Sequence, residues 1–331
     1  MKAHTPSQRQ QMKAVIEAIR KHRRFMVSSH VNPEGDALGS ALALAALIKR
    51  LGKRAIVGND GGIPKAFAFF PPIAQVVSRL NGQISPEVAI TVDVPILSRT
   101  GSMSRVIQRT PLTVNIDHHV SNQRFADVNW VDPKASAVGE MIYLLYRAFG
   151  VKPSREEALC LYVSIVTDTG SFRYMSTTAK VHQIASELIS TGISPLRVAQ
   201  DLYECHSAPD LRFLGEVLRS LKSSPDGRVV WLEVPYRLRR DRRPGPEIVD
   251  ELVNFPRSVR TAQVAFVLRE HTPQRTVRVS FRSKGNVDVN RIARRFGGGG
   301  HMAASGCTIP GTLAQARGRV LKVVRQELKK S

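Results

Sequence analysis

Residues Leu112–His119 read LTVNIDHH, a short apolar run rich in β-forming residues that ends in one aspartate and two histidines. An earlier run, Val88–Asp93 (VAITVD), has the same form and also ends in an aspartate. Phe25–His30 (FMVSSH) and Arg54–Asn59 (RAIVGN) are two further apolar runs with polar ends. Short continuous apolar runs are typical of strands that are buried on both faces of a parallel sheet. We therefore predict a parallel sheet in the first two-thirds of the chain.

Helical patterns separate these strands. Ala37–Leu51 is rich in Ala and Leu and is followed by Gly52. Further helices are predicted at about 135–149, 155–166 and 178–191, with Leu159–Val166 as the apolar part of the second. Alternation of strands and helices predicts an α/β fold, in which ligands bind beyond the carboxyl ends of the strands.

The pattern changes after about residue 207. Strands are predicted at Arg228–Val234, Ala262–Arg269 and Arg275–Arg282, and helices at 246–254, 288–296 and 312–330. Arg237–Pro246 (RLRRDRRPGP) is predicted to be an exposed basic loop. We expect a first domain over 1–193, a partly helical connecting segment over 194–207, and a smaller α/β domain over 208–331.

Composition limits the class of protein. The chain has 331 residues, 42% of them hydrophobic, which is enough for two domains that each bury a core. The three cysteines form no CxxC pair, which argues against a disulfide framework and a cysteine zinc site. No run of apolar residues is long enough for a membrane span, and the polar start lacks the apolar core of a secretory signal. We therefore expect a cytoplasmic protein.

The chain is strongly basic. Lys and Arg number 49 against 27 Asp and Glu, a formal net charge of +22, and the excess is larger in the C-terminal third. A basic surface attracts polyanions such as nucleic acids. It is equally compatible with a basic proteome or with ribosome association, so the charge does not decide function.

Four clusters of polar residues lie where predicted strands or helices end: His30–Asp36, Asp93, Asp117–His119 and Asp168–Arg173. Each cluster alone is more often a helix cap, a turn or a packing histidine. Together they bring three imidazoles and five carboxylates to one edge of the sheet, and such crowded charge is retained when cations neutralise it. Mixed His and carboxylate ligands suit Mn²⁺, and Zn²⁺ or Fe²⁺ less selectively. Two ions that share a bridging carboxylate account best for the number of ligands.

A glycine-rich segment marks the second domain. Gly297–Gly300 is followed by His301 and by Ala304–Gly306, and the preceding helix carries Arg291, Arg294 and Arg295. Four glycines alone are typical of a flexible loop. With these flanks, the segment is predicted to bring backbone amides to phosphate oxygens. Strand alternation places Ser280 and Arg282 on one face, toward the same ligand.

These motifs resemble those of the DHH phosphoesterases, over nearly the full length of the chain. His30–Ser40 (HVNPEGDALGS), Asp93 within TVDVP, Asp117–His119 and Thr167–Tyr174 (TDTGSFRY) are similar to the four motifs of the family. Gly297–Gly306 (GGGGHMAASG) is similar to the signature of the associated C-terminal domain. The nearest likeness is to bacterial oligoribonucleases that also dephosphorylate phosphoadenosine phosphate. Glu34 stands where the family usually has Asp.

The resemblance implies a fold, a site and a reaction. The parallel-sheet domain would carry two Mn²⁺ ions, or Mg²⁺ or another divalent metal, and the smaller domain would bind substrate, with the active site in the cleft between them. Metal ligands would be His30, Glu34, Asp36, Asp93, His118 and Asp168, with Asp93 bridging. His119 and Asp117 would be catalytic, and Arg282, Gly298, Gly299, Gly300 and His301 would bind substrate. A metal-activated hydroxide would cut short oligoribonucleotides to mononucleotides, or 3′-phosphoadenosine 5′-phosphate to AMP.

Alternatives stay open at this point. The same chemistry could serve cyclic or linear dinucleotides, or polyphosphate, although relatives with those substrates usually carry other segments or another C-terminal domain. Long-strand exonucleases of the RecJ type are much larger. A different class, a nucleic-acid-binding protein that has lost catalysis, is motivated by Glu34 and the +22 charge. Family members often form homodimers.

Overall fold

The chain divides into two compact units, with the boundary between Leu202 and Tyr203. This boundary falls within the segment 194–207 that the sequence predicts to connect two domains. The computed structural model describes residues 7–79, 85–272, 275–300 and 302–329. Within that part of the chain, no helix has the length and apolar character to cross a bilayer. A cytoplasmic location stays a prediction.

The first unit is built on a parallel six-stranded sheet in the order β3-β2-β1-β4-β5-β6. The strands are β1 (Arg24–Ser28), β2 (Arg54–Gly58), β3 (Val76–Val77), β4 (Val88–Val92), β5 (Leu112–Asp117) and β6 (Val128–Val131). The predicted parallel sheet is confirmed, because four of these strands are the four that the apolar runs predicted. The other two, β3 and β6, are edge strands that were not predicted, since two to four residues carry too weak a pattern.

Helices cover both faces of this sheet. They are α1 (Gln8–Lys21), α2 (Gly35–Arg50), α3 (Ser104–Arg109), α4 (Val138–Ala148), α5 (Arg155–Asp168), α6 (Ala179–Ile189) and α7 (Pro195–Tyr203), with short 3₁₀ helices at Lys65–Phe67 and Leu97–Met103. On one face, Phe25 and Val27 pack in a large core with α1, α2, α4, α5 and α6. On the other face, Met26 packs with Met103 and Ile107 in a smaller core. Alternate residues of β1 thus enter different cores, which explains its uninterrupted apolar run.

The order of the strands creates a crevice at one place. β1 and β4 are neighbours, and the chain proceeds outward from them in opposite directions, to β2 and β3 on one side and to β5 and β6 on the other. At such a point the connections diverge and leave space beyond the carboxyl ends of the two central strands. His30 and Asp93 follow these two ends, so the fold itself brings two of the predicted clusters together.

Two helices of the first unit approach each other unusually closely. A Cβ added at Gly39 of α2 would collide with the backbone oxygen of Cys160 in α5, and one added at Gly35 would lie 2.6 Å from Thr167. The small residues of α2 therefore set its distance from α5. Because Asp36 lies on α2 and Asp168 ends α5, the same contact sets how near these carboxylates lie.

The second unit has a mixed sheet in the order β11-β12-β10-β9-β8-β7, antiparallel except for the β8–β9 pair. Its strands are β7 (Lys222–Ser223), β8 (Val229–Val234), β9 (Val264–Thr272), β10 (Thr276–Ser283), β11 (Gly299–Gly300) and β12 (Ala304–Pro310). Its helices are α8 (Ala208–Leu218), α9 (Tyr236–Arg242), α10 (Pro246–Glu251), α11 (Asn254–Ser258), α12 (Val289–Arg294) and α13 (Leu313–Leu328). α12 and α13 pack on one face of the sheet, while α8 and α10 pack on the other face over β8 and β9.

Two expectations for this unit need correction, and one of its longer strands was missed. Arg237–Pro246 is not a loop, because residues 236–242 form α9, which ends where Arg243 adopts a left-handed backbone conformation (φ 47°). The predicted helix 246–254 is two short helices, α10 and α11. β12 was not predicted, because its small residues Ala304–Gly306 mask the alternation that identifies a strand.

We predict that Gly39→Ala destabilises the protein by about 1–3 kcal/mol, because the added methyl group forces α2 and α5 apart. Urea unfolding measures the change, and the metal affinity of the folded variant should fall as well. Gly215→Ala in α8 is the matched control, because a Cβ there meets no atom of the described residues within 4 Å. It should be neutral or stabilising by up to about 1 kcal/mol. Equal behaviour of the two variants would contradict the packing argument.

Candidate active site

Asp93 lies at the centre of the polar clusters. It is 1% exposed and follows β4 in a left-handed backbone conformation, with φ at 58°. This conformation is costly for a residue with a Cβ, and such strain is concentrated at functional sites. Its Oδ2 lies 3.4 Å from His30 Nε2, while its Oδ1 lies 3.6 Å from His118 Nε2 and 3.4 Å from His119 Nδ1. The two oxygens of one carboxylate thus face two different sets of side chains.

Two of the three histidines around Asp93, His30 and His118, are fixed by backbone carbonyls. His30 Nδ1 donates a hydrogen bond to Val31 O (2.9 Å), and His118 Nδ1 donates one to Ala135 O (3.1 Å). A hydrogen on Nδ1 leaves the lone pair of the neutral ring on Nε2, which is the arrangement found for metal-binding histidines. In both residues Nε2 is the atom that faces the carboxylates.

The donor atoms fall into two main groups that meet at Asp93. The first group contains His30, Glu34 and Asp93, and the second contains Asp36, His118 and Asp168. A third group, Asp93, His118 and His119, joins these two. In the second group, His118 Nε2 lies 3.8 Å from Asp36 Oδ2 and 3.4 Å from Asp168 Oδ2. Donor atoms that share one ion at about 2.0–2.2 Å are themselves separated by roughly 3–4 Å, so each group has the spacing of an ion site.

Asp36 is held in a cradle of hydrogen bonds. Its Oδ1 accepts from Ser164 Oγ (2.6 Å), Ser40 Oγ (3.0 Å) and Gly139 N (3.1 Å), and its Oδ2 accepts from Val138 N (2.8 Å). The last two amides belong to the first turn of α4, whose own N-cap residue, Ala137, has no side chain that could accept them. Asp36 therefore caps a helix other than its own, and its position is fixed to within a narrow range.

Asp117 lies behind His119. It is fully buried, and its Oδ1 accepts a hydrogen bond from His119 Nδ1 at 2.7 Å. Its Oδ2 accepts one from Asn122 Nδ2. Burial alone would raise the pKa of Asp117, but the hydrogen bond and the charge of His119, with the hydrogen bond from Asn122, together outweigh burial and lower that pKa. The ionised carboxylate fixes the tautomer and the orientation of His119, as in other acid–base pairs of this kind.

The crowded carboxylates perturb one another. Burial and the negative charge of Asp93 raise the pKa of Asp36 to about 6. Burial likewise raises the pKa of Asp168, although the charge of His118 acts in the opposite direction. Burial disfavours charge on His118 too, yet the surrounding carboxylates, Asp168 first, raise its pKa well above the usual value. In the absence of a cation, protons are therefore held in the cluster.

A divalent cation fits this cluster on two observations. His30 Nε2 and Asp93 Oδ1 are buried and form no hydrogen bond with any residue that the structure describes. Buried polar atoms without a partner are costly and call for a ligand. The donors are imidazole nitrogens and carboxylate oxygens, a set that suits Mn²⁺ and similar ions. An ion would replace the protons that the cluster otherwise holds.

Glu34 belongs to the first group despite its longer side chain. Its Oε1 lies 3.9 Å from His30 Nε2, and its side chain is 64% exposed. It is the residue before α2, but its side chain makes no capping hydrogen bond with that helix. The carboxylate of Glu34 is thus directed to the cluster rather than to the helix, at the solvent-exposed side of the group.

The predicted substrate-binding residues lie in the second unit. Arg282, on β10, is half-buried and donates a hydrogen bond from NH1 to Phe281 O (3.0 Å). The N–H of Gly298 donates to Ala293 O, at the end of α12, so it is engaged within the protein. His301 lies outside the described residues.

The remaining glycines differ in the space around them. A Cβ at Gly298 or Gly300 would collide with β12, so close packing alone requires glycine at these two positions. Gly299 is exposed, and among the residues that the structure describes a Cβ there would meet only Asn290 Oδ1, at 3.9 Å. Of the three predicted glycines, Gly299 is therefore the one beside which a ligand has room.

Sequence reasoning missed several residues that support the cluster. They are Ser40 and Ser164, which bind Asp36, and Asn122, which binds Asp117. A signal was present for the serines, because Ser40 follows Asp36 by four residues and Ser164 precedes Asp168 by four, so each shares a helix face with a predicted ligand. Asn122 lies in a turn, and only the folded chain brings it to Asp117.

Comparison with protein families gives the same assignment as the motifs. Residues 24–165 match the DHH family N-terminal domain, and residues 236–330 match the DHHA1 domain. The chain is 33% identical to a protein of Thermus thermophilus named bifunctional oligoribonuclease and PAP phosphatase NrnA, over 98% of this chain and 97% of that protein. A protein of the same name from Bacillus subtilis is 30% identical, over 89% of this chain and 92% of that protein.

Solved structures show the same fold. An exopolyphosphatase-related protein from Bacteroides fragilis superposes with a TM-score of 0.87, at 27% identity, over 97% of this chain and 96% of that one. The two family matches, the full-length relatives and the fold agree with one another. The chain belongs to the DHH family, whose members are hydrolases that act on phosphoester bonds.

Proposed function

We propose that this protein hydrolyses short oligoribonucleotides to mononucleotides, and 3′-phosphoadenosine 5′-phosphate to AMP, with two divalent cations, preferably Mn²⁺. The observation that carries the proposal is the position of Asp93, whose two oxygens face two separate groups of metal-ligand side chains. Relatives named for both activities, alike over nearly the whole chain, support the choice of substrates.

In this proposal the six predicted ligands divide between the ions. His30, Glu34 and Asp93 would hold the first cation, and Asp36, Asp93, His118 and Asp168 the second. When bound, the two cations supply Lewis-acid stabilisation of the phosphoryl oxygens and lower the pKa of a water molecule. The hydrogen bonds to Asp36 and to the two histidine rings keep the ligands in place while the reaction proceeds.

His119 would act at the leaving oxygen of the substrate. Asp117 accepts the hydrogen of Nδ1 (2.7 Å), so it fixes the tautomer and stabilises a positive charge on the ring. A proton held on Nε2 of His119 can then move to the leaving oxygen. Asp117, which touches His119 and Asn122, has a positioning role, and His119 carries the chemistry.

The second unit would bind the substrate through Arg282, Gly299 and His301. Arg282 supplies a guanidinium suited to a phosphate, and the exposed Gly299 lets a ligand approach the backbone. Loss of catalysis, the alternative suggested by Glu34, is disfavoured because the Glu34 carboxylate lies within the first ligand group.

The first experiment incubates purified protein and Mn²⁺ with a 5′-labelled RNA dinucleotide and, separately, with 3′-phosphoadenosine 5′-phosphate. We expect Mn²⁺-dependent release of mononucleotide and of phosphate. The double variant Asp117→Ala, His118→Ala should lose at least about 10²-fold in rate, because it removes a ligand and the support of His119. Turnover of a cyclic dinucleotide or polyphosphate alone would overturn the substrate assignment, and equal rates of variant and wild type would overturn the site.

Two replacements of Glu34 test separately the contributions of its negative charge and of its side-chain length to metal binding. Glu34→Gln removes a charged ligand, so we expect Mn²⁺ affinity at one of two sites to fall about 10–100-fold. Glu34→Asp keeps a carboxylate at the residue before α2. The loss of Mn²⁺ affinity should therefore be smaller than for Glu34→Gln. Calorimetric titration with Mn²⁺ measures both. An unchanged two-site isotherm for Glu34→Gln would exclude Glu34 as a ligand.

The cluster also predicts that divalent cations stabilise the fold. An ion that binds only the native state, at a free concentration of 100 times its Kd, adds about 2.7 kcal/mol to the free energy of unfolding. Thermal unfolding with Mn²⁺ and with EDTA should show this rise in the wild type and not in Asp93→Asn. Glu17→Gln, which removes an exposed charge on α1, is the control and should keep the rise. A rise of equal size in Asp93→Asn would contradict the bridging role.

A further inference from the structure

One strip of the second unit's sheet remains open to solvent. α8 and α10 cover β8 and β9 on this face, while the outward side chains of β10 and β12 are half-buried or exposed. These side chains form what we name the open strip: Arg278, Ser280 and Arg282 on β10, and Ala304, Gly306 and Thr308 on β12. The residues at its centre are small, and Arg278 and Arg282 lie at the two ends of its β10 side.

Three arginines gather at one end of the open strip. Arg278 lies directly opposite Arg269 in the β9–β10 register, so both side chains point to the same face. Arg269 NH2 donates to Ser280 Oγ (3.1 Å), which ties it to the strip. Arg239 of α9 donates from NH1 to Glu270 O (3.1 Å), beside Arg269. Like charges directly opposite each other on a sheet are destabilising.

The protein neutralises this cluster incompletely. Arg269 is 7% exposed and forms an ion pair with Asp250 at 3.1 Å, but its Nε is buried without a hydrogen-bond partner among the described residues. Burial lowers the pKa of Arg269 even against that ion pair, and the charges of Arg278 and Arg239 act in the same direction. Asp250 itself is 77% exposed, so solvent weakens its effect. The side chain of Arg278 makes no hydrogen bond or ion pair with any described residue.

We propose that the open strip is a second phosphate subsite, which holds a backbone phosphate of oligoribonucleotides longer than a dinucleotide. Arg278 contacts this phosphate, and the charges of Arg269 and Arg239 increase the positive electrostatic potential at the same place. The proposal rests on the proposed function, in which Arg282 binds the phosphate of every substrate. Arg282 follows Arg278 by four positions along β10, a distance of about 13 Å. The backbone of an extended single strand covers that distance in a few nucleotides. 3′-phosphoadenosine 5′-phosphate is a single nucleotide, so it cannot contact both Arg282 and Arg278.

The small residues between the arginines favour a nucleotide chain over a protein partner. Ala304 and Gly306 leave the strip shallow, so a phosphate backbone can approach the sheet. Ser280, between the two arginines, and Thr308, opposite Arg278, add hydroxyl groups. A docking protein needs apolar contacts at the centre of its interface. The open strip offers hydroxyls and guanidinium groups instead, which is the composition of phosphate contacts.

The test compares substrates of different length in the absence of metal. Fluorescence anisotropy in EDTA measures the binding of a labelled RNA pentanucleotide, and a labelled dinucleotide and 3′-phosphoadenosine 5′-phosphate serve as short ligands. We expect Arg278→Ala to weaken pentanucleotide binding about five- to tenfold and to reduce the slope of log Kd against log salt by about 0.7, the value for one phosphate contact on a single strand. Binding of the two short ligands should be unchanged.

Two further variants serve as controls for Arg278→Ala. Arg278→Lys keeps the charge and should restore most of the affinity for the pentanucleotide. Arg325→Ala removes an exposed charge from α13, which packs on the opposite face of the sheet, and should leave all affinities unchanged. Both variants and Arg278→Ala replace exposed side chains, so each is expected to fold, and thermal unfolding checks this.

The outcomes distinguish this subsite from the proposed function. Wild-type affinity of Arg278→Ala for the pentanucleotide, or equal weakening of long and short ligands, overturns the subsite. If the same preparations hydrolyse a dinucleotide with Mn²⁺, the proposed function stands even in that case. A length-dependent loss of binding without turnover of any RNA would keep the subsite and overturn the hydrolysis instead.

Discussion

The carboxylate of Asp93 is the constraint on which the rest of the first unit depends. A buried carboxylate between two imidazoles, with other carboxylates nearby, is unfavourable unless hydrogen bonds and cations compensate for it. The fold accepts a left-handed backbone at this residue to direct one oxygen to His30 and the other to His118. The crevice between β1 and β4, the approach of α2 to α5 and the hydrogen bonds to Asp36 all bring ligands to this one side chain.

The support around the ligands is as specific as the ligands themselves. Asp36 lies on α2, yet it caps α4 and accepts a hydrogen bond from Ser164 of α5. Three helices are thus joined at one carboxylate, so the candidate ligand Asp36 is held as rigidly as the core that these helices form. Glu34 differs, because it lies before the helix and is largely exposed. Among the candidate ligands, Glu34 is therefore at a position where a longer side chain requires no change in the core.

The second unit also crowds groups of like charge together, but there the charge is positive. There, guanidinium groups are crowded on one face of a sheet, and the buried Nε of Arg269 has no hydrogen-bond partner within the described part of the chain. Crowded carboxylates favour cations, and crowded guanidiniums favour anions. The high net charge of the chain does not by itself decide function. In the open strip, part of that charge is concentrated on one face of a sheet. Its arginines are placed by β-strand register rather than scattered over a solvated surface.

The sequence by itself determined the central strands, the family and the residues of the candidate site. The apolar runs at Phe25–His30 and Val88–Asp93 identify buried parallel strands, since period and composition are local properties of the chain. The order of the polar clusters along the chain identifies the DHH motifs in the same way. Short or weakly patterned elements, such as α9 and β12, were misjudged or missed because tertiary contacts, not local pattern, stabilise them.

Only the tertiary structure decided which side chains meet. Asn122 at Asp117, Ser164 at Asp36, and Arg278 opposite Arg269 depend on strand register and helix approach, which involve residues distant in sequence or in separate elements. The same holds for Gly298, whose amide is used to end α12 and whose missing Cβ makes room for β12. A sequence specifies such contacts only through the whole fold, because each requires that several elements pack at once.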